Sequence, residues 1–588
     1  VYPAAGYAAL RTGEVRFNRE HPPLMKLLTG ATWLSTDLPV SAAPGWREGN
    51  QWAFGRHLLY GAGHDAAELL ARARLPVALL SGLLVLAVWG AARRRFGVVA
   101  GWSAAMLLAL DPLVLAHAGL ATTDLGAAAL AFGTMLAIPW ASQRGGTARV
   151  LAAGVLLGAA LAAKFSTVVL LALLPVTVWL GRDQLGGVLL RGAGMAGVAF
   201  LVVTATYGRA GPGPWLEGLQ MLLTHDAVGH PAYAFGRWGD GGWWWYFPAA
   251  WAVKTPLILL AAQAAGLVWV LRSRRRAAGS WALLLGAGLF GVTAMMASLN
   301  LGVRHLLPVV PSLAVLGGGA AAALWGSRAG KASLLGAGAL LAGGTLAVHP
   351  DEIADANLLV GGPDRLWRVL SDSNVDWGQA LPSLARALEG RPVRRLYLGY
   401  FGTADPHADG LRYVWVPGMN MAERRVEEGS HPDGREWLAV SVTTLMDVYT
   451  ERHSAYAWLR DRPMTAFPGH AIALYDVTGE TEVFVRLGET ALALGEPEAA
   501  LAPLVRAAEL RPSDVALHVL LARLTASLGL AAQTDATCAR AVALAGASSR
   551  EAELCALLSR QARQSREAPS GTEPSGEDAR RSFLIRSR

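Results

Sequence analysis

The chain has 588 residues, of which 53% are hydrophobic and 16% charged, with a formal net charge of +8. A mean hydropathy of +0.33 excludes an ordinary soluble globule and fits a membrane protein with soluble appendages. The two cysteines, Cys538 and Cys555, exclude a disulfide framework and a thiolate metal site, and read as buried, inert thiols.

Residues 1–72 are mixed in character. Glu14, Arg16, Arg19, Glu20 and His21 precede a half-apolar run, Leu24–Leu34. That run is too short to span a bilayer and predicts a helix lying in the interface. The sequence opens at Val1 in a polar stretch, without a signal peptide or a leading apolar helix. From about residue 74 the pattern predicts about ten spans: 74–91, 98–116, 120–140, 148–162, 166–181, 188–206, 248–270, 281–297, 305–325 and 332–348. The short pair around Lys164 reads as a tight hairpin.

Basic loops set the orientation. Arg93, Arg94 and Arg95 follow the first span, Arg144 and Arg149 the third, and Arg182 the fifth. Arg272, Arg274, Arg275 and Arg276 follow the seventh, and Arg328 and Lys331 the ninth. Loops rich in Lys and Arg stay cytoplasmic. The opposite, outer face then carries the His117–Asp124 turn, the Lys164 turn, the long 207–247 loop and the Asn300–His305 turn. The N-terminal segment and everything beyond about 349 share that face. An outer N-terminus predicts one further span upstream of Val1. The run Trp243-Trp244-Trp245-Tyr246-Phe247-Pro248 suits the headgroup interface, with substrate stacking as the alternative.

Residues 349–480 read as an exoplasmic α/β domain with strand-like runs at Leu396–Phe401, Trp437–Val442 and Ala471–Val477. Residues 481–561 hold a repeat of period 34. Leu487 matches Leu521, Leu494-Gly495 matches Leu528-Gly529, Arg506-Ala507 matches Arg540-Ala541, and Leu510 matches Leu544. This is the tetratricopeptide spacing. Two such units are few for a solenoid, which predicts packing onto the preceding domain or onto a helix after 548. Residues 562–588 read as a disordered tail. The fold class is thus a polytopic α-helical membrane protein: a first outer loop (1–72), a transmembrane core (73–348), the α/β domain and the helical repeats.

Polar groups beside a membrane core are costly and read as functional by default. On the outer face these are His21, Lys26, Asp111, His117, Asp124, Lys164, His230, Asp240, Lys254, Arg304 and His305. Cationic His21, Lys26, Lys164, His230, Arg304 and His305 suit an anionic lipid phosphate. The alternative for Lys26 and Arg304 is snorkelling to lipid. Asp124 at a helix start reads equally as a dipole-favoured cap and as a working carboxylate. Lys164 is expected to pair with Asp124 or Asp111, or to hold a phosphate. No P-loop, zinc spacing or dinucleotide fingerprint occurs. No cofactor is called for, and a divalent cation is left open.

Several stretches in order resemble a known family: Ala5-Gly6-Tyr7, Glu20-His21-Pro22-Pro23-Leu24-Met25-Lys26-Leu27, His117-Ala118-Gly119-Leu120-Ala121-Thr122-Thr123-Asp124 and Ala163-Lys164-Phe165-Ser166. Gly229-His230-Pro231-Ala232-Tyr233, Lys254-Thr255-Pro256, Gly302-Val303-Arg304-His305 and Asp372-Ser373-Asn374-Val375-Asp376-Trp377-Gly378-Gln379 continue the set. Over residues 1–478 the chain resembles the polyprenyl-phosphate-sugar-dependent glycosyltransferases of the GT-C superfamily, family 39. That family includes bacterial protein O-mannosyltransferases and the lipid A aminoarabinose transferase. The resemblance implies an inverting sugar transfer at the outer face of a bacterial inner membrane. A carboxylate acts on the acceptor, and cations hold the leaving lipid phosphate. It implies that the primary base lies upstream of Val1, and that Asp124 matches the second acidic position. It places Asp372, Asp376 and Trp244 on the acceptor side. Partners so implied are membrane lipid, a lipid-linked sugar donor and a protein or glycan acceptor, with no nucleic acid. The repeats suggest a further protein partner. A lipid A-type acceptor, a lipid-linked-sugar flippase and a membrane scaffold are the competing readings. The absence of internal span repeats speaks against the flippase.

Overall fold

Apolar runs and the prolines that interrupt them decide the architecture of the first unit. The computed structural model describes residues 1–144, 146–180, 185–274, 276, 280–418 and 424–567. The chain divides into two units, Val1–Val375 and Asp376–Arg588. Arg182 and Arg275, counted above as loop charges, lie outside the described residues, as does the tail beyond 567.

The first unit is a polytopic helical membrane assembly. Five helices are long and apolar enough to cross a bilayer: Ala66–Phe96, Asp124–Ser142, Gly186–Ala210, Val303–Leu324 and Arg328–Val348. Two bent pairs raise the number among the described residues to as many as seven. Val98–Ala109 and Pro112–Ala118 meet at 64°, and Tyr246–Lys254 and Leu257–Leu271 at 119°. The other expected spans form shorter helices, Thr147–Ala163, Phe165–Val176 and Trp281–Met296. Both bends sit at an X-Pro step. Pro cannot donate to the helix and forces its predecessor out of the helical region, and Asp111 and Thr255 accordingly take ψ of 116° and 127°. Lys164, at φ −157° and ψ 136°, is likewise the extended hinge of the short hairpin.

Residues 1–61 fold as a helical layer. Helices Tyr2–Thr12 and Leu24–Ala31 cross so closely that a Cβ at Gly6 would lie 1.7 Å from the Lys26 carbonyl oxygen. The second of these helices was expected to lie in the interface. One face of it, Met25, Lys26, Thr29 and Gly30, is buried against the protein, because Gly6 and Gly30 admit the close crossing of the first helix. The 207–247 stretch, read as a loop, contains helix Gly213–Val228 and a hairpin of β1 (Ala232–Ala234) and β2 (Arg237–Gly239). Residues 349–375, grouped above with the α/β domain, fold within the first unit. Lys254 Nζ donates to the carbonyls of Ile353 and Asn374, each at 2.6 Å. Asn357 Nδ2 donates to Ala252 O at 2.6 Å and Thr255 O at 2.8 Å.

The second unit is built on a four-stranded sheet of β3 (Val393–Gly399), β4 (Val414–Trp415), β5 (Arg435–Ser441) and β6 (Ile472–Asp476) in the order β4-β3-β5-β6. β3 runs parallel to β4 and β5, and β6 antiparallel to β5. β4 is the strand the alternation did not reveal, being two residues long. Five helices follow: Thr481–Ala493, Pro497–Leu510, Val515–Ser527, Ala531–Ala545 and Arg550–Glu567. Gly495 and Gly529, one period apart, each follow a helix at φ of 72° and 68°, the left-handed position that closes a helix with least strain in glycine. Sheet and repeats share one core, with Leu396 and Trp437 packed with Ala491 and Leu504. Arg506 reaches back to the fully buried Glu436 of β5, Nε to Oε1 at 2.7 Å and Nη2 to Oε2 at 3.0 Å. The last helix runs through 562–567, which the sequence assigned to the tail, because Ala562 is buried with Cys538, Cys555 and Leu558.

Candidate functional site

Three segments of the first unit converge on Asp124. Its backbone opens a membrane helix, but its carboxylate does not cap that helix. Oδ1 lies 2.5 Å from Lys164 Nζ, and Oδ2 lies 3.6 Å from Arg304 Nη1. All three side chains are largely buried, at 3%, 15% and 13% exposure. The extended hinge at Lys164 and the 3-10 turn Val303–Val309 aim the two cations inward from opposite neighbours. Asp124 thus works as a counter-ion, which the cap reading did not require, and Lys164 pairs with Asp124 rather than with Asp111. Asp111 caps its own short helix by accepting from Leu113 N at 2.9 Å.

Around this trio stand further polar groups. His21 is electrostatically coupled to Lys164, Asp124 and Arg304, and His305 and His117 feel the same three charges. Burial, then the Lys164 cation, pushes His21 down to about 3. His21 is therefore a neutral imidazole at pH 7, not the cation expected from the sequence. Its Nε2 lies 3.3 Å from the Tyr2 hydroxyl, the rings meeting edge to face. Burial, reinforced by Asp124, holds the Tyr2 phenol above its usual range and protonated. When that phenol donates to Nε2, the ring proton sits on Nδ1. His21 Nδ1 and the hydroxyls of Thr122 and Thr123 are buried and make no hydrogen bond. Buried polar atoms without partners are rare in folded proteins; here His21 is coupled to both cations, and Thr122 and Thr123 immediately precede Asp124 in the chain.

Lys26 does not join this group. Its Nζ donates to the carbonyls of Phe17 at 3.2 Å, Asn18 at 2.7 Å and His21 at 2.8 Å, which occupies all three ammonium hydrogens. Neither the snorkelling nor the phosphate reading describes it, because the N-terminal chain folds over it. It fixes the loop that carries His21. His230 lies beside His225 at a ring separation of 5.7 Å, its Nδ1 3.0 Å from Pro231 O.

On the other side of Arg304, Asn374 ties three segments together. Its Oδ1 accepts from Val303 N at 3.0 Å, and its Nδ2 donates to Tyr246 Oη at 2.7 Å. Ser373 Oγ donates to the Leu301 carbonyl. Asp372 takes a left-handed φ of 56° and accepts from Ser373 N. Asp376 belongs to the second unit and accepts from Gly378 N at 3.1 Å. Trp244 is 68% exposed, beside the stacked Trp243 and Trp245. His305 stacks on Phe247 at 5.9 Å. Sequence reasoning did not pick out Tyr2, Asn374 or Tyr246. Tyr2 looks like an ordinary core aromatic, whereas Tyr246 lay inside the aromatic run read as interfacial and the polar Asn374 inside a quoted motif. Among the described residues no group of three or more His, Cys, Asp or Glu is arranged to hold a metal ion.

Residues 68–207, which contain Asp124 and Lys164, match the profile of the dolichyl-phosphate-mannose-protein mannosyltransferase family. Two solved structures of ArnT from Cupriavidus metallidurans are similar to this chain. The apo form is 15% identical with a TM-score of 0.41, and the form bound to undecaprenyl phosphate is 14% identical with a TM-score of 0.43. Each alignment covers 80% of this chain and 92% of the other. No curated protein matches the sequence.

Proposed function

We propose that this chain is a membrane glycosyltransferase that moves a sugar from a polyprenyl-phosphate donor to an acceptor hydroxyl at the outer face of the membrane, a reading supported by the family profile that residues 68–207 match. The observation that carries the reading is the buried Lys164–Asp124–Arg304 cluster with unpaired polar atoms beside it. When the bond between the anomeric carbon and the phosphate oxygen breaks, negative charge grows on the phosphate. Preorganised cations in a site shielded from water stabilise that charge most effectively. Lys164 and Arg304 are assigned to the phosphate. Asp124 holds the two like charges together until the phosphate arrives. The His21 Nδ1–H and the Thr122 and Thr123 hydroxyls supply neutral hydrogen bonds. The acceptor oxygen attacks the opposite face of the sugar, which inverts the anomeric centre, and its proton passes to a base. Asp372 and Trp244 are assigned to the acceptor side, and residues 481–561, read as tetratricopeptide repeats, to recruiting a protein partner.

The test is a transfer assay with the protein in liposomes, offered radiolabelled polyprenyl-phosphate sugars and a host membrane extract. Label moving to a protease-sensitive product identifies a protein acceptor, and label moving to a lipid product identifies a lipid A-type acceptor. Arg304→Ala should abolish either while the protein still inserts. Label that crosses the bilayer on its carrier, with no transfer, would overturn the reading in favour of a flippase.

A further inference from the structure

A second polar site lies at the other end of the same helix bundle. Gly319 sits fifteen residues beyond Arg304 in the span Val303–Leu324, about 22 Å along a helix axis. There a cavity of about 560 Å³ opens between the ends of four helices, lined by Arg95, Phe96, Trp269, Arg276, Ser280 and Gly319. The glycine is needed: a Cβ there would lie 2.4 Å from the Trp269 ring and 2.9 Å from Phe96. These two rings meet edge to face at 5.0 Å and form an apolar wall.

The polar side of the cavity is not satisfied from within. The Arg276 guanidinium lies over the Trp269 ring at 4.4 Å, and its buried Nε makes no hydrogen bond. Arg95 makes a long bond of 3.3 Å to the Ala91 carbonyl. Among the described residues neither arginine has a carboxylate partner. Ser280 is 2% exposed, and its hydroxyl has no partner. A buried hydroxyl left unpaired is costly, and the two guanidiniums lining the cavity have no carboxylate to balance them among the described residues. An anion with several acceptor oxygens corrects both faults, and guanidinium forks match phosphate in geometry. The Phe96–Trp269 wall suits a hydrocarbon tail, and Leu267, Val268 and Leu271 of the Trp269 helix are exposed on the membrane segment. Basic pockets between membrane helices suit phosphate headgroups.

We propose that this cavity binds a phosphate-bearing ligand, an anionic lipid headgroup or a free phosphate, held by Arg95, Arg276 and Ser280. It stands at the opposite end of the span from Asp124 and does not depend on the transferase reading.

The test uses the full chain in neutral detergent, titrated separately with dioctanoyl phosphatidylglycerol, dioctanoyl phosphatidylcholine and inorganic phosphate. Occupancy is read by native mass spectrometry. Each titration is repeated on Arg304→Ala, which silences any lipid phosphate at the other site. Phosphatidylglycerol should bind one per chain in the Arg304→Ala background, at least tenfold tighter than phosphatidylcholine. Arg95→Gln with Arg276→Gln should weaken it at least tenfold. Inorganic phosphate binding with the same arginine dependence and comparable strength would make free phosphate the ligand. Ser280→Ala keeps every charge and adds no bulk, and it should weaken binding several-fold even if the double variant fails to fold. Equal binding of both lipids with no arginine-dependent phosphate binding, or unchanged affinity in Ser280→Ala, would overturn the proposal.

Discussion

Asp124→Asn is the substitution that most directly tests how the central cluster works. It keeps the shape of the side chain and removes the negative charge between Lys164 at 2.5 Å and Arg304 at 3.6 Å. At an effective dielectric of ~20 the two contacts amount to about 7 and about 5 kcal/mol of gross attraction. Desolvation offsets much of this, and breaking one partner out of a buried pair costs about 3–5 kcal/mol net. The amide oxygen can still accept one hydrogen bond, so the low end applies. About 3 kcal/mol, if it goes into misplacing the two cations assigned to the phosphate, corresponds to about 150-fold in rate. Transfer by the liposome-reconstituted variant is expected to fall about 100-fold with a raised donor KM, and Asp124→Glu should recover part of it. A loss confined to kcat, with donor KM unchanged and the acid limb of the pH–rate profile gone, would show Asp124 to be a base. Unchanged turnover would refute its place in the site.

Other substitutions separate structure from binding. Lys26→Met strips a donor from three carbonyls that are buried or half-buried and should lower thermal stability by about 2–4 kcal/mol. Donor KM in the surviving folded fraction should stay near normal. Arg506→Ala leaves Glu436 buried and uncompensated, a loss of about 3–5 kcal/mol. Replacing the pair with Met and Leu should restore most of it by the same unfolding measurement. His21, held neutral to about 3 against 6.5 when unfolded, makes the unfolded state take up a proton first. Stability should therefore fall as pH drops from 6.5 towards 3. His21→Gln should flatten that slope between pH 6.5 and 5, where carboxylates contribute least, and an unaltered slope would refute the assignment.

The apolar helices and the strands near 396, 437 and 472 were legible because their signals are local: run length, alternation and basic loops. The Asp124–Lys164 pairing was legible as an option, since two opposite charges beside a membrane core must find partners. The bends at Pro112 and Pro256 were written in the sequence, but apolar run length masked them, so each bent pair was read as one straight span. Lys26 shows a harder limit. Its partners are backbone carbonyls, which every residue possesses and no side-chain pattern announces. Asn374 likewise acts on a backbone amide and a core tyrosine, contacts that exist only once distant segments meet.

The core shared by the sheet and the first repeated helices has an evolutionary consequence. Tandem helical repeats ordinarily gain and lose units freely, since each touches only its neighbours. Here the first hairpin is mortgaged to β5 through Arg506 and Glu436 and to the sheet through Ala491 and Leu504. Relatives of this chain should vary in repeat number only from the far end, beyond Ser527, with the hairpin at 481–510 kept wherever the sheet is kept.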